Sequence, residues 1–201
     1  MTSQSGHTEP IDAPHSLVGR SLDGSYRLKE MINLGGMGII FRAEQLSTGR
    51  TVAVKVLKPS RANEMSTMRR FEREAKVLAQ LSHPNIVSMV DSGRDAGGLA
   101  YVVMEFVKGA TFRQVLKNGS LSLIEMMEVF TKTSSALAEA HAADVIHRDL
   151  KFDNIMISRQ ADGHLRVTVL DFGVAKPTSR GRRRKVTKAG HVPGARGIVA
   201  P

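Results

Sequence analysis

The sequence has 201 residues, enough for one sizeable domain or two small lobes around a buried core. Hydrophobic content of 41% and charged content of 24% are ordinary for a globular protein, and the absence of cysteine excludes disulfides and thiolate metal sites. No apolar run approaches the ~18 residues that span a bilayer, and residues 1–20 lack the apolar centre of a signal peptide, so the expected location is cytoplasmic.

The net charge of +10 is unevenly spread. Residues 177–201 hold seven basic residues and no acid, which leaves +3 on residues 1–176. The pI of about 10.3 therefore describes the tail. As a nucleic-acid arm, "SRGRRRKVTK" lacks aromatic interleaving and a folded recognition motif. It implies only salt-sensitive, non-specific binding, and no specific nucleic-acid partner.

Residues 1–17 are mostly polar, with two prolines and a glycine, and are expected to be a disordered lead-in. Strand-like runs follow at 26–34, 38–45 and 51–57, the last two joined by a turn at 47–50. A helical period runs over 64–81 until Pro84 stops it. Two more strands, 86–91 and 99–106, flank a turn at 95–98. The pattern then changes to a short helix over 111–117 and a long one over 123–143, the latter opened by Ser122 and Glu125 at capping-box spacing. Short strands at 155–158 and 165–170 surround a turn at 161–163. The implied class is α+β: a β-rich lobe with one helix, a linker near 106–109, and the start of a helical lobe.

Three segments carry chemistry. In "TVAVKVL", alternation puts Val52, Val54 and Val56 on one face and Ala53, Lys55 and Leu57 on the other. Alone, Lys55 reads equally as an edge-strand lysine reaching solvent. In "MRRFEREAKVL", however, Phe71, Glu74 and Leu78 share one helical face, so Glu74 points inward and needs a partner; Lys55 is the nearest one. In "HRDLKFDN", six polar side chains in eight residues cannot be core, while Val145, Ile146, Ile155 and Ile157 anchor the loop at both ends. Val167, Val169 and Asp171 alternate onto one face, which delivers a carboxylate at a strand end.

In order, "GGMG", "VAVK", "REA", "LSHPNIV", "YVVMEFV", "HRDLKFDN", "DFG" and, faintly, "GHVPGARGIVAP" resemble the eukaryotic-like serine/threonine protein kinases common in bacteria, from about residue 18 to residue 201. The resemblance implies a protein-kinase-like two-lobe fold, with a complete β-rich N-lobe over 18–106 and the first part of a helical C-lobe over 107–201. It implies transfer of the ATP γ-phosphoryl group to a serine or threonine hydroxyl of a protein substrate. Lys55 would bind the α/β-phosphates and Glu74 would hold it; Asp149 would accept the hydroxyl proton and Lys151 offset γ-phosphate charge. Asn154 and Asp171 would ligate Mg²⁺, with Mn²⁺ as an alternative. ATP would further meet Gly35, Gly36 and Gly38 of the loop, Ile40, the adenine-flanking Ala53 and Met156, the gatekeeper Met104, and the hinge at Glu105 and Val107. Leu78, Met89, His147 and Phe172 match the stack whose assembly marks an active kinase. Thr187 aligns with an autophosphorylated threonine, and Arg148 with the residue that reads its phosphate.

The chain departs from the family pattern in places. Asn33 stands for the first loop glycine, where its side chain would crowd the nucleotide, and Phe152 for the proline after the loop lysine. His191, Ala195, Arg196 and Ile198 depart from the usual activation-segment residues, and the chain ends at 201 where the family continues. The expectation is therefore a truncated kinase with an exposed apolar patch at Met126, Phe130 and Leu137, open to a second copy or another partner. The competing reading is an ATP-binding, pseudokinase-like interaction module that would hold ATP–Mg²⁺ or a partner kinase through its N-lobe without turnover.

Overall fold

Alternation of apolar and polar residues in the first half of the chain builds a single antiparallel sheet. The structure, a computed structural model, describes residues 14–62, 64–119, 121–172 and 176–177. Strands β1 (Ser21–Leu22), β2 (Tyr26–Leu34), β3 (Gly38–Gln45), β4 (Arg50–Leu57), β5 (Met89–Arg94) and β6 (Ala100–Glu105) form it in the order β1-β2-β3-β4-β6-β5. The central β4 divides its side chains as expected. Val52, Val54 and Val56 join a core with Phe41 and Val103, while Leu57 enters a second core beneath helix α2 (Met65–Gln80). A single-turn helix, α1 (Pro59–Ala62), precedes α2.

Thr67, Phe71, Glu74, Ala75, Val77 and Leu78 form the buried face of α2. Four of these six are apolar, and their burial drives docking of the helix. The same core continues through Ile86 and Val87 to Ala136, Ala140, Val145, Val169 and Phe172, so it runs from the sheet into the helical half.

That half opens with β7 (Ala110–Thr111) and α3 (Phe112–Lys117), capped by Thr111 and Gln114 in a reciprocal box. Helix α4 (Leu123–Ala142) starts at the expected box, with Ser122 N–H donating to Glu125 Oε2 at 2.8 Å. It is followed by β8 (Val145–Ile146), β9 (Ile155–Arg159), β10 (Leu165–Val169) and β11 (Lys176–Pro177). β9 pairs with both β10 and β7, and β8 with β11.

Three expectations need correction. The strand expected over 86–91 begins at Met89, because Ile86 and Val87 pair instead with Val169 of β10: Val87 N–H donates to the Val169 carbonyl at 3.0 Å. The lead-in was expected to run through residue 17, yet Pro14–Leu17 forms a 3-10 turn and Leu17 is buried in the core with Leu22 and Leu28. On α4 the exposed apolar row is Leu123, Ile124, Met127 and Phe130. Val129, Thr133, Ala136 and Ala140 face inward, and Met126 and Leu137 stand beside that stripe, half-buried.

Gly109 precedes β7 at φ 137°, and a Cβ there would collide with the Ile157 carbonyl oxygen across the sheet. Gly109→Ala is expected to cost about 2–3 kcal/mol, seen in urea unfolding as a lower midpoint at unchanged slope.

Candidate active site

Lys55 sits mid-strand in β4, opposite Ile40 of β3 and Val102 of β6, where the sheet leaves its side chain 9% exposed. Its Nζ donates to Glu74 Oε1 at 2.5 Å and to Asp171 Oδ1 at 2.8 Å. The inward carboxylate of α2 thus finds the partner its burial requires. Burial pushes the Glu74 carboxyl up to about 7, against the pull of the Lys55 ammonium. For Asp171 burial also acts upward, but Lys55 outweighs it and holds that carboxyl below its ordinary value.

Asp171 follows β10 with φ 60°, a left-handed backbone that turns the chain sharply and lets Phe172 drop, fully buried, into the core. The Phe172 ring meets His147 at 4.6 Å, and Leu78 and Met89 belong to the same core. His147 in turn ties two loops together. Its Nε2–H donates to the Leu170 carbonyl at 2.9 Å, and its Nδ1 accepts from Asp149 N–H at 3.4 Å.

Arg148, between them, also has a left-handed backbone at φ 63°. Asn154 Nδ2 donates to the Asp149 carbonyl at 2.9 Å, and Lys151 Nζ to Asp149 Oδ2 at 2.9 Å. That last hydrogen bond raises the Lys151 pKa.

A cleft of about 450 Å³ lies between sheet and helical half. Ile40, Ala53, Met104 and Glu105 line it from the sheet, Val107 from the linker, Met156 from β9, and Lys55, Asn154 and Asp171 at its charged end. Gly35, Gly36 and Gly38 are not among the lining residues; they belong to the β2–β3 hairpin, where Gly35 N–H donates to the Gly38 carbonyl. Gly38 admits no side chain, since a Cβ would lie 2.7 Å from the Val56 carbonyl oxygen. Thr187 and residues 190–201 lie outside the described residues.

Sequence reasoning missed Ile32, Val87, Thr111, Asp153 and Leu170 as lining residues. Leu170 was legible as the neighbour of Asp171. Val87 was not, because its position depends on the pairing with β10.

A pH dependence follows from the raised Glu74 carboxyl. Between about pH 4.5 and 7 the folded chain holds a proton that the unfolded chain has lost, so this group's contribution is present at low pH and lost as pH rises through its folded value. Compared with Glu74→Gln, the nucleotide- and cation-free protein is expected to lose about 2–3 kcal/mol of relative stability from pH 5 to pH 8. Denaturant unfolding of both proteins at the two pH values measures it.

The protein kinase domain model matches residues 26–201. The chain is 39% identical to the serine/threonine-protein kinase pkn3 of Myxococcus xanthus over 92% of its own length and 34% of the relative's. It is 41% identical to PknA of Mycobacterium tuberculosis, over 92% of this chain and 42% of that one. It is 38% identical to PrkC of Bacillus subtilis, over 81% and 24%. It thus spans less than half the length of each of these curated relatives. Among solved structures, the Mycobacterium tuberculosis PknI kinase domain superposes with a TM-score of 0.63 at 28% identity, covering 79% of this chain and 63% of that one. With its cleft, its Lys55–Glu74–Asp171 ion-pair cluster and a domain match over most of its length, this chain belongs to the protein kinase family.

Proposed function

We propose that the chain carries the ATP-dependent phosphoryl-transfer site of a serine/threonine protein kinase. The observation that carries this reading is the convergence at one cleft of a buried lysine, a carboxylate and an amide, with a second carboxylate, Glu74, paired to that lysine, from four separate segments. Lys55, locked between Glu74 and Asp171, binds the α/β-phosphates. Asn154 and Asp171 hold the divalent cation. Asn154 commits Nδ2 to the Asp149 carbonyl, which leaves its amide oxygen as the hard ligand.

No group of three or more acidic or histidine side chains capable of holding a metal exists among the described residues. A site of one carboxylate and one amide therefore fits Mg²⁺ brought with the nucleotide's phosphates better than a resident cation. When bound, Mg²⁺ supplies neutralisation of phosphate charge.

The substrate hydroxyl oxygen attacks the γ-phosphorus, the bond to the bridging oxygen breaks, and ADP leaves. Asp149 orients the hydroxyl and takes its proton, while Lys151 offsets charge on the transferred group. The substrate is a protein, and the reading carries with it a cytoplasmic setting where ATP is supplied.

Purified protein incubated with γ-labelled ATP and Mg²⁺ tests this. Label is expected on Thr187 and on an added protein acceptor, falling by roughly 10²- to 10⁴-fold in Asp149→Asn, which lacks the base. Nucleotide binding with no transfer in either protein favours the non-catalytic binding module. Asn33 lines the cleft where the loop pattern has glycine. Asn33→Gly is expected to tighten ATP binding about 3- to 10-fold in a titration.

A further inference from the structure

The junction of β7 and α3 holds the Asp149 loop and the strand that follows it through three consecutive residues. Thr111 pairs with Met156 in the β7–β9 register. Phe112, buried, meets the Phe152 ring edge-on at 4.9 Å, and Phe130 of α4 backs it at 5.9 Å. Arg113 Nε–H is shared between both carboxylate oxygens of Asp153, at 2.8 and 2.9 Å.

Phe152 and Asp153 lie between Lys151 and Asn154. Residues Phe152–Asn154 form one 3-10 turn, and Lys151 before it is extended at φ −149°, ψ 163°. That geometry suits proline at 152: the first helical position needs no N–H, and the preceding residue is already in the region proline demands. Proline there would fix φ of the turn through its ring. Phenylalanine offers no such restraint, but its side chain reaches Phe112.

We propose that Phe152 and Asp153 are positioning residues: the Phe112–Phe152 and Arg113–Asp153 contacts anchor the loop to α3 and set Lys151 and Asn154 about Asp149. The clamp takes over the restraint that proline supplies in the family pattern. It rests on the phosphoryl-transfer reading of that loop. Both contacts are partly solvated, with Phe152 42% exposed, so they add little to global stability and act on local placement.

The test uses the full chain with Phe152→Ala, Phe152→Pro, Arg113→Ala and Arg113→Lys. It reads kcat and KM for ATP with a protein acceptor, the melting temperature, and amide hydrogen exchange over residues 148–156. Phe152→Ala and Arg113→Ala are expected to lower kcat by roughly 10- to 100-fold. KM and melting temperature stay near wild type, while exchange at 151–155 speeds about tenfold. Phe152→Pro restores kcat and protection, and Arg113→Lys, which keeps the charge, restores them in part. Wild-type kcat and exchange in the alanine variants overturn the proposal. So does a loss that tracks melting temperature, or one that Phe152→Pro leaves unrepaired. If the wild-type chain transfers no phosphate, the kinase reading fails, and the exchange results alone decide whether the clamp exists.

Discussion

A buried carboxylate cannot stay charged alone, and Glu74 is buried. The ammonium that compensates it comes from β4, 19 residues earlier, and the second carboxylate on that ammonium comes from the end of β10, 116 residues from Lys55. Three segments must therefore meet at one point. Desolvating such charges costs several kcal/mol each, and the attraction offsets this only at short range and good geometry. The ion pairs do not pull α2 onto the sheet; burial of Phe71, Ala75, Val77 and Leu78 does that. What the charges add is orientation, because any other rotation of α2 leaves Glu74 without its cation.

The same demand reaches into the helical half. Asp171 arrives at Lys55 only because β10 stops at Val169 and the backbone turns left-handed two residues on. That turn is held from two sides: His147 captures the Leu170 carbonyl, and Leu170 N–H donates to the Asn154 carbonyl at 2.8 Å. Strained conformations at Arg148 and Asp171 persist because their neighbours over-determine them. Phe172, sealed against His147, makes the placement of Asp171 a packing condition as well as an electrostatic one. The Ile86–Val169 bridge joins the halves a few residues away.

Features encoded locally were legible in the sequence. The alternation around Lys55, the inward face of α2 and the Ser122–Glu125 box each depend on residues a few positions apart, and each was found in place. Non-local features were not legible. Ile86 and Val87 have the composition of a strand beside β6, yet pair with β10; local pattern cannot name a strand's partner. Two-residue strands such as β7 and β8 carry no period at all. The patch on α4 was legible in part: Phe130 is exposed as expected, while Met126 and Leu137 are half-buried, because only the packed structure shows which stripe Val129 and Ala136 occupy. In sequence Phe152 is only a departure from the family pattern; its ring contact with Phe112, 40 residues earlier, gives it a partner that no local pattern names.

The two lysines of the site show how burial assigns different work to the same side chain. Lys55 and Glu74 have side chains only 9% and 3% exposed, so little water screens their attraction and neither can leave without stranding the other. Lys151 and Asp149, at 48% and 44%, form an ion pair of similar length that water screens and that contributes little to stability. A screened pair can change partners cheaply. When an anionic group and a hydroxyl enter between them, Lys151 can turn to the anion and Asp149 to the hydroxyl at small cost. The buried pair behaves as a fixed reference and the exposed pair as an exchangeable one, and the proposed phosphoryl transfer calls for both kinds: one for the part of the nucleotide that stays, the other for the part that moves.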